Sequence, residues 1–333
     1  MSKSAAPVAD NADPQLAAAA ARVRRGRLAD AAFHRLTQAF AWTVLIVLGA
    51  ILVVLFRGAW PAFERFGAHF FVSPAWNPVT ETYGAASSIL GTVATSLIAI
   101  LLAVPISFGI ALVITEIAPG WLRRPIGIAV ELLAGIPSII YGIWGLFIFA
   151  PWFSDNVQPG ITNTLGRIPL IGQLFQGPPI GLGWAVAGFV LTIMIIPFIA
   201  AVMRDVFEVV PVTLKESAYA IGATRWEVMR KIVLPYARVG VIGGIMLGLG
   251  RALGETMAVT FVVGNAHDLH LSLFMPGNTI ASTIANEFTE ADTLIHRSAL
   301  IALGLILFAI TFAVLAVAQL LLLRMARAQG DRT

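Results

Sequence analysis

Two charges stand inside an apolar run where charge is costly. Arg251 and Glu255 lie in GLGRALGETMAVTF, near the middle of a stretch long enough to cross a membrane. Each charge at mid-membrane costs about 2.5–3.5 kcal/mol on insertion scales, so such residues turn toward a partner, a bundle interior or a water-filled path. At i and i+4 the two share one helix face, about 6 Å apart along the axis. The spacing predicts that they neutralise each other. Two roles stay open. A buried ion pair would fix packing. A pathway pair would handle an anion: the guanidinium presents a planar fork of donors suited to a tetrahedral oxyanion. Glu255 would repel a fully ionised anion but accept a hydrogen bond from a protonated one. Glu131 is the other intramembrane carboxylate, nearer one end of its span, where water is within reach.

The same run is rich in glycine. Gly240, Gly244 and Gly248 are four apart, as are Gly250 and Gly254. Small residues at this spacing let helices approach closely. Gly244, Gly248 and Gly254 are therefore expected at a helix interface, either within the chain or with a second subunit.

A second constellation is polar and sits between two apolar runs. Pro211 to Pro235 reads PVTLKESAYAIGATRWEVMRKIVLP. Thr213 and Glu216 have the spacing of a capping box, which predicts a helix start near Leu214. Gly222 falls where a helix needs a residue that tolerates φ > 0. Thr224 and Glu227 repeat the box and start a second helix. Pro235 marks a break near its far end. The result is a bent hairpin whose Ala218, Ala220, Ile221 and Ala223 make a small apolar surface for another protein to cover. A loop that merely folds on itself is the plainer alternative. A DNA-binding helix-turn-helix is a third, which flanking membrane spans argue against.

The elements that position these groups follow from composition. The chain has 333 residues, 58% hydrophobic and 12% charged, against about 25% charged in soluble domains. This is an all-α membrane protein. Six apolar segments reach the ~20 residues a span needs, near 37–57, 87–115, 125–150, 183–203, 239–264 and 298–323. Pro105, Pro137 and Pro197 interrupt spans two to four and free backbone carbonyls that neighbouring helices must satisfy. Residues 1–36 read as a flexible basic tail, whose Arg22, Arg24, Arg25 and Arg27 lie against anionic lipid heads. Residues 37–325 form the membrane domain, with the polar loop at 204–238, and 326–333 form a second tail. No cleaved signal peptide is expected.

Charge sets the orientation. With the N-terminus inside, 17 of the 22 Lys and Arg fall in cytoplasmic segments, Arg251 lies in a span, and only Arg57, Arg65, Arg167 and Arg297 lie outside. That predicts N-in and C-in, with 204–238 in the cytoplasm. It also accounts for the pI of 9.8 without nucleic acid. The absence of cysteine excludes a disulfide framework and a zinc-thiolate site. No G-x-x-x-x-G-K-[ST] occurs, so ATP-driven work would need a separate ATPase.

Three outer loops remain. Residues 58–86 carry seven aromatics, from Trp60 to Tyr83, either an interfacial belt or a docking surface. Residues 151–182 are rich in Pro and Gly. His267 and His270 form H-x-x-H, a weak metal signal without a third ligand; no metal site is expected.

The hairpin stretch resembles the "EAA" loop of ABC-importer permeases, with Glu216, Ala218, Gly222, Ile232, Leu234 and Pro235 at the matching positions and Ser217 in place of the first Ala. The resemblance implies a coupling helix that docks on a cytoplasmic ATPase. ELLAGIPSIIYGIWGLFIFAP (131–151), GGIMLGLGRALGETMAVTFVVGN (243–265) and TIASTIANEFTEA (279–291) resemble the PstC-type permeases of phosphate-specific importers. The likeness covers most of residues 70–315. It implies a type I ABC importer permease bundle in a bacterial plasma (inner) membrane. The partners it implies are a second homologous permease, an ATPase dimer that binds the ATP, and an extracytoplasmic phosphate-binding protein. It also places Arg251 and Glu255 on the substrate pathway. Hydrogen phosphate would offer Glu255 a proton that sulfate lacks at neutral pH. A permease for another oxyanion and a secondary transporter, driven through Glu255 and Glu131, are the alternatives.

Overall fold

The computed structural model describes residues 14–169 and 171–330. The chain forms two units, Met1–Val54 and Leu55–Thr333. The first, from residue 14, is one helix, the leading part of Pro14–Phe66. Residues 14–36, expected as flexible tail, are therefore helical; the expectation for 1–13 lies outside the described residues. At the other end the helix Leu294–Gly330 runs into what was read as a tail from 326, and 331–333 also lie outside.

Among the described residues five helices are long and apolar enough to cross a membrane: Asp30–Phe66, Ala86–Ile117, Trp184–Glu208, Arg225–Leu253 and Leu294–Arg324. The pair Gly120–Ala134 and Ser138–Arg167 is apolar enough as well but is bent by 87°, the geometry of a broken span or of a re-entrant loop. The sequence predicts one helix there, over 125–150. The bend sits at Gly135-Ile136-Pro137. The residue before a proline disfavours helix, and the proline has no N–H to continue the ladder. The buried Tyr141 hydroxyl donates to the Leu133 carbonyl at 2.9 Å, which satisfies an acceptor that the break sets free.

The 184–208 helix is the centre of the larger unit. Leu191, Ile195, Ile199, Met203 and Phe207 are all buried and four residues apart, a single stripe along one face. The helix packs along most of its length on the 86–117 helix and also on the 225–253 helix. The glycine stripe of the latter makes this approach possible. A Cβ on Gly244 would meet Val202 at 2.9 Å, and one on Gly248 would meet Ile199 at 2.5 Å. Gly244 and Gly248 thus sit at a helix interface within the chain. Gly254 does not: a Cβ there would have only the Gly250 carbonyl oxygen, at 3.7 Å, as neighbour.

A second apolar cluster joins Ala59, Ala62, Phe70, Tyr83 and Ala85 to Ile280, Ala299, Leu300 and Leu303. It covers the start of the 86–117 helix and the start of the 294–324 helix. A two-residue hairpin pairs Trp76 with Tyr83 and Asn77 with Thr82.

Candidate functional site

The fifth span is broken at its charged pair. The helix ends at Leu253, and a short one, Met257–Val262, follows. The expectation of one continuous helix over 239–264, with Arg251 and Glu255 paired across a turn, is corrected here. Gly254 is a weak helix former, and the Glu255 carboxylate instead accepts the backbone N–H of Ala258 at 3.2 Å. One of its oxygens satisfies a freed donor at the start of the next helix. Among the described residues Arg251 forms no ion pair; its guanidinium lies 5.8 Å from the centre of the Phe198 ring, a cation–π distance. Arg251 is exposed on this chain and Glu255 is half-buried. A guanidinium directed at hydrocarbon carries the insertion cost given above, so this surface is one that water or a second protein covers.

The polar hairpin forms, with two corrections. Its first helix is Val212–Ala220, led by Pro211, and no side chain caps it. The Thr213/Glu216 box is absent because Thr213 is already inside the helix, where its carbonyl accepts the Ser217 hydroxyl at 2.7 Å. The fixed φ of Pro211 turns the chain into helix early. The second box is present: Thr224 Oγ1 accepts the Glu227 N–H, and the Glu227 carboxylate accepts the Thr224 N–H at 3.0 Å. That backbone bond, with Lys231 and the Thr224 hydroxyl, holds the Glu227 carboxyl below its ordinary value. Gly222 takes φ +90°, the region only glycine enters freely.

Pro235 does not break the second helix, contrary to the sequence reading. A wide turn over Met229–Val233 opens the ladder just before it, and the helix continues from Leu234. Ala218, Gly222 and Ile232 come together with Ile221 and Val228 around one hollow of about 310 Å³. Glu216 is exposed, Leu234 packs on the core and Pro235 lies at the surface. Ile221 is 87% exposed and Trp226 59% exposed, apolar side chains that the described residues leave largely uncovered.

Sequence reasoning missed two polar clusters. One is at the far end of the 86–117 helix. The Glu287 carboxylate accepts Trp76 Nε1–H at 2.6 Å and lies 2.9 Å from both His267 Nε2 and His296 Nε2. Trp76 stacks on His267 and Tyr83 on His296. Asn278, buried, links His267 Nδ1 to the Ser88 hydroxyl through 2.8 Å contacts on either side. Burial alone would raise the Glu287 carboxyl; the bonds to His267, Trp76 and His296 outweigh it and hold the group below its ordinary value. The H-x-x-H signal contained half of this. His267 belongs to the cluster, but its partner is Glu287 rather than His270.

The other cluster lies at the hairpin end. Lys215 Nζ donates to Glu116 at 2.6 Å, both side chains being at most 15% exposed. Nearby, Arg204 donates to Glu131 and Asp205, each at 2.8 Å. A cavity of about 480 Å³ opens beside them, lined by Arg123, Arg124, Arg204 and Lys215 among others.

Comparison with known proteins places this architecture. Residues 108–327 match the binding-protein-dependent transport system inner membrane component family. The phosphate transport system permease protein PstC of Mesorhizobium japonicum is 58% identical over 304 residues, 91% of this chain and 93% of that one. This chain belongs to the PstC family of permeases. The Pasteurella multocida member is 57% identical over 300 residues, 90% of this chain and 93% of its own. Among solved structures, one chain of a bacterial alginate ABC transporter in complex with its alginate-pentasaccharide-bound periplasmic protein aligns with a TM-score of 0.56. At 18% identity over 85% of this chain and 92% of that one, it shows the fold alone. Like the rest of the family, this chain is a multi-pass inner-membrane component of an ABC importer.

Proposed function

We propose that this chain forms half of the translocation pathway of an ATP-driven importer of inorganic phosphate. The observation that carries the reading is the identity of 58% to a phosphate transport permease over 91% of the chain. A homologous permease supplies the other half. An ATPase dimer binds ATP beneath the 211–235 hairpin, and a phosphate-binding protein delivers the anion on the opposite side. The charge asymmetry puts the hairpin and both ends of the chain in the cytoplasm.

The mechanism is alternating access. Closure of the ATPase dimer moves the hairpin, whose exposed Ile221 and Trp226 suit a protein surface. The Gly222 bend and the Ala218–Ile232 hollow receive the partner's contacts, and the exposed Glu216 adds a polar one from the same hairpin. Around the fifth-span break, Arg251 offers donors to the anion, and Glu255 sits one turn away as an acceptor for its proton. The Glu255 carboxylate accepts the Ala258 N–H and Arg251 forms no ion pair among the described residues, so the guanidinium's donors stay open to the passing oxyanion.

Phosphate uptake in cells carrying Arg251→Gln, with membrane abundance measured in parallel, tests the pathway role. Lost uptake at normal abundance is expected. Normal uptake would make Arg251 a packing residue only.

A further inference from the structure

The helix 212–220 is held to the rest of the chain by very little. Of its nine residues only Lys215 and Ala218 are less than about a third exposed, with Tyr219 at 39% and Leu214 at 44%. Lys215 and Ala218 lie at i and i+3, on one face. Ala218 contributes a single methyl group to the core cluster. The remaining anchor is Lys215, whose ammonium pairs with Glu116 at 2.6 Å and lies 3.5 Å from the Phe207 carbonyl at the end of the 184–208 helix. Glu116 belongs to the wide turn Val113–Ile117, which closes the 86–117 helix. That helix and the 184–208 helix are the most extensively packed pair in the chain.

We infer that the Glu116–Lys215 ion pair is the link through which displacement of the 212–220 helix reaches the membrane spans. The reading rests on the import function above and assigns a positioning role within it. Apart from its covalent joints at 209–211 and 221–224, a push or pull on this helix has one short, charge-assisted side-chain contact among the described residues through which to act. Apolar packing at Ala218 can slide, whereas a short charge-assisted bond fixes direction and distance. The pair is nearly buried, so losing one partner leaves an uncompensated charge rather than a solvated one. The two spans it addresses move as one body, since both are packed along their length and share the buried stripe from Leu191 to Phe207. The Arg204–Glu131 pair, by contrast, joins the 184–208 helix to the 120–134 helix and bypasses the hairpin.

The test uses the assembled complex, with its second permease, ATPase and phosphate-binding protein, in lipid vesicles. Phosphate uptake and ATP hydrolysis are read in the same sample. Glu116→Gln and Lys215→Met are each expected to lower phosphate taken up per ATP by about tenfold, with hydrolysis itself changed by less than about threefold. The exchange E116K/K215E is expected to recover at least about threefold over E116K or K215E alone, the coupling that a double-mutant cycle isolates. Glu81→Gln removes a different ion pair, with Arg65, and should leave the ratio unchanged. Single variants that keep the wild-type ratio overturn the inference. So does an exchange no better than the worse of E116K and K215E, including one that fails to accumulate. If neither single variant accumulates, the exchange decides. A wild-type complex without ATP-dependent phosphate uptake overturns the import reading instead.

Discussion

The two ends of the 86–117 helix are built on opposite plans. Ser88 and Glu116 lie 28 positions apart on it, about 42 Å at the helical rise. At the Ser88 end, polar groups from four separate segments converge: Trp76, His267, Asn278 with Glu287, and His296. The ring nitrogens of Trp76, His267 and His296 all meet the Glu287 carboxylate, and the aromatic rings stack over the network. At the Glu116 end, two ion pairs hold the framework while the hairpin keeps its apolar residues exposed. The first end is largely closed within one chain, although Ser87 Oγ and Asn278 Oδ1 are buried there without a partner among the described residues. The second leaves Ile221 and Trp226 exposed, which under the proposed function is the face a partner covers. A transport subunit needs both: a rigid end against which motion is referred, and an open end that receives it.

Breaking the hairpin should therefore abolish function and spare the fold. Gly222→Pro forces φ near −65° on a residue that sits at +90°. Uptake should fall by about two orders of magnitude or more, on the argument that the bend aligns the docking face, while membrane abundance stays normal. Uptake within a few-fold of wild type would end the idea that the bend transmits force. At the largely closed end the converse is expected. Gly91 lies so close to the Asn278 carbonyl that a Cβ would collide with it. Gly91→Val should thus reduce accumulation outright, by several kcal/mol of overpacking, and a variant that melts at the wild-type temperature would show that the segment yields.

Smaller effects sharpen the contrast. Glu287→Ala leaves Trp76, His267 and His296 without their shared acceptor. A loss of about 2–4 kcal/mol in the detergent-solubilised protein is expected at roughly 1 kcal/mol per bond, read as a lower melting temperature. An unchanged melt would demote the cluster to decoration. The network should also respond to acid. The Glu287 carboxyl is held below its ordinary value of 4.5, so its contribution is fully present above pH 4.5. It is lost as pH falls through the lower, folded value. Stability of wild type relative to Glu287→Gln should converge below that pH; a constant difference down to strong acid would contradict it. The smallest effect belongs to Lys231→Met. Its pair with Glu227 is exposed, at 71% and 42% for the two side chains, and such pairs contribute about 0–1 kcal/mol. A larger loss would mean that the hairpin is more tightly structured than its exposure suggests.

How much was legible differs between these regions for a physical reason. Hydrophobic runs are local, so the apolar segments that become membrane-length helices were readable, although their ends were not: the fifth runs Arg225–Leu253 rather than 239–264. The second capping box and the Gly222 bend were readable as well, because caps act over three residues. The misreadings came where one local signal competed with another. Pro211 overrode the Thr213 cap, and the wide turn at Met229–Val233 absorbed Pro235. Gly254 and the Glu255 side chain ended a helix that hydropathy alone carries through to 264. The Glu287 cluster was invisible for a different cause. Its members are up to 220 residues apart in sequence (Trp76 to His296), and only His267 had a nearby partner to draw notice.

By itself, the sequence determined that the chain carries apolar segments long enough to cross a membrane, that its polar hairpin bends at Gly222, and that two charges sit in the fifth apolar segment. These are consequences of solvent preference and of short-range backbone chemistry, which each residue carries wherever it is placed. Only the tertiary structure decided which charge faces which group. It sent Glu255 to Ala258 N–H rather than to Arg251, paired Lys215 with Glu116, and gathered three segments on Glu287. Such pairings depend on where distant helices pack, and a carboxylate takes whichever donor the fold brings within about 3 Å.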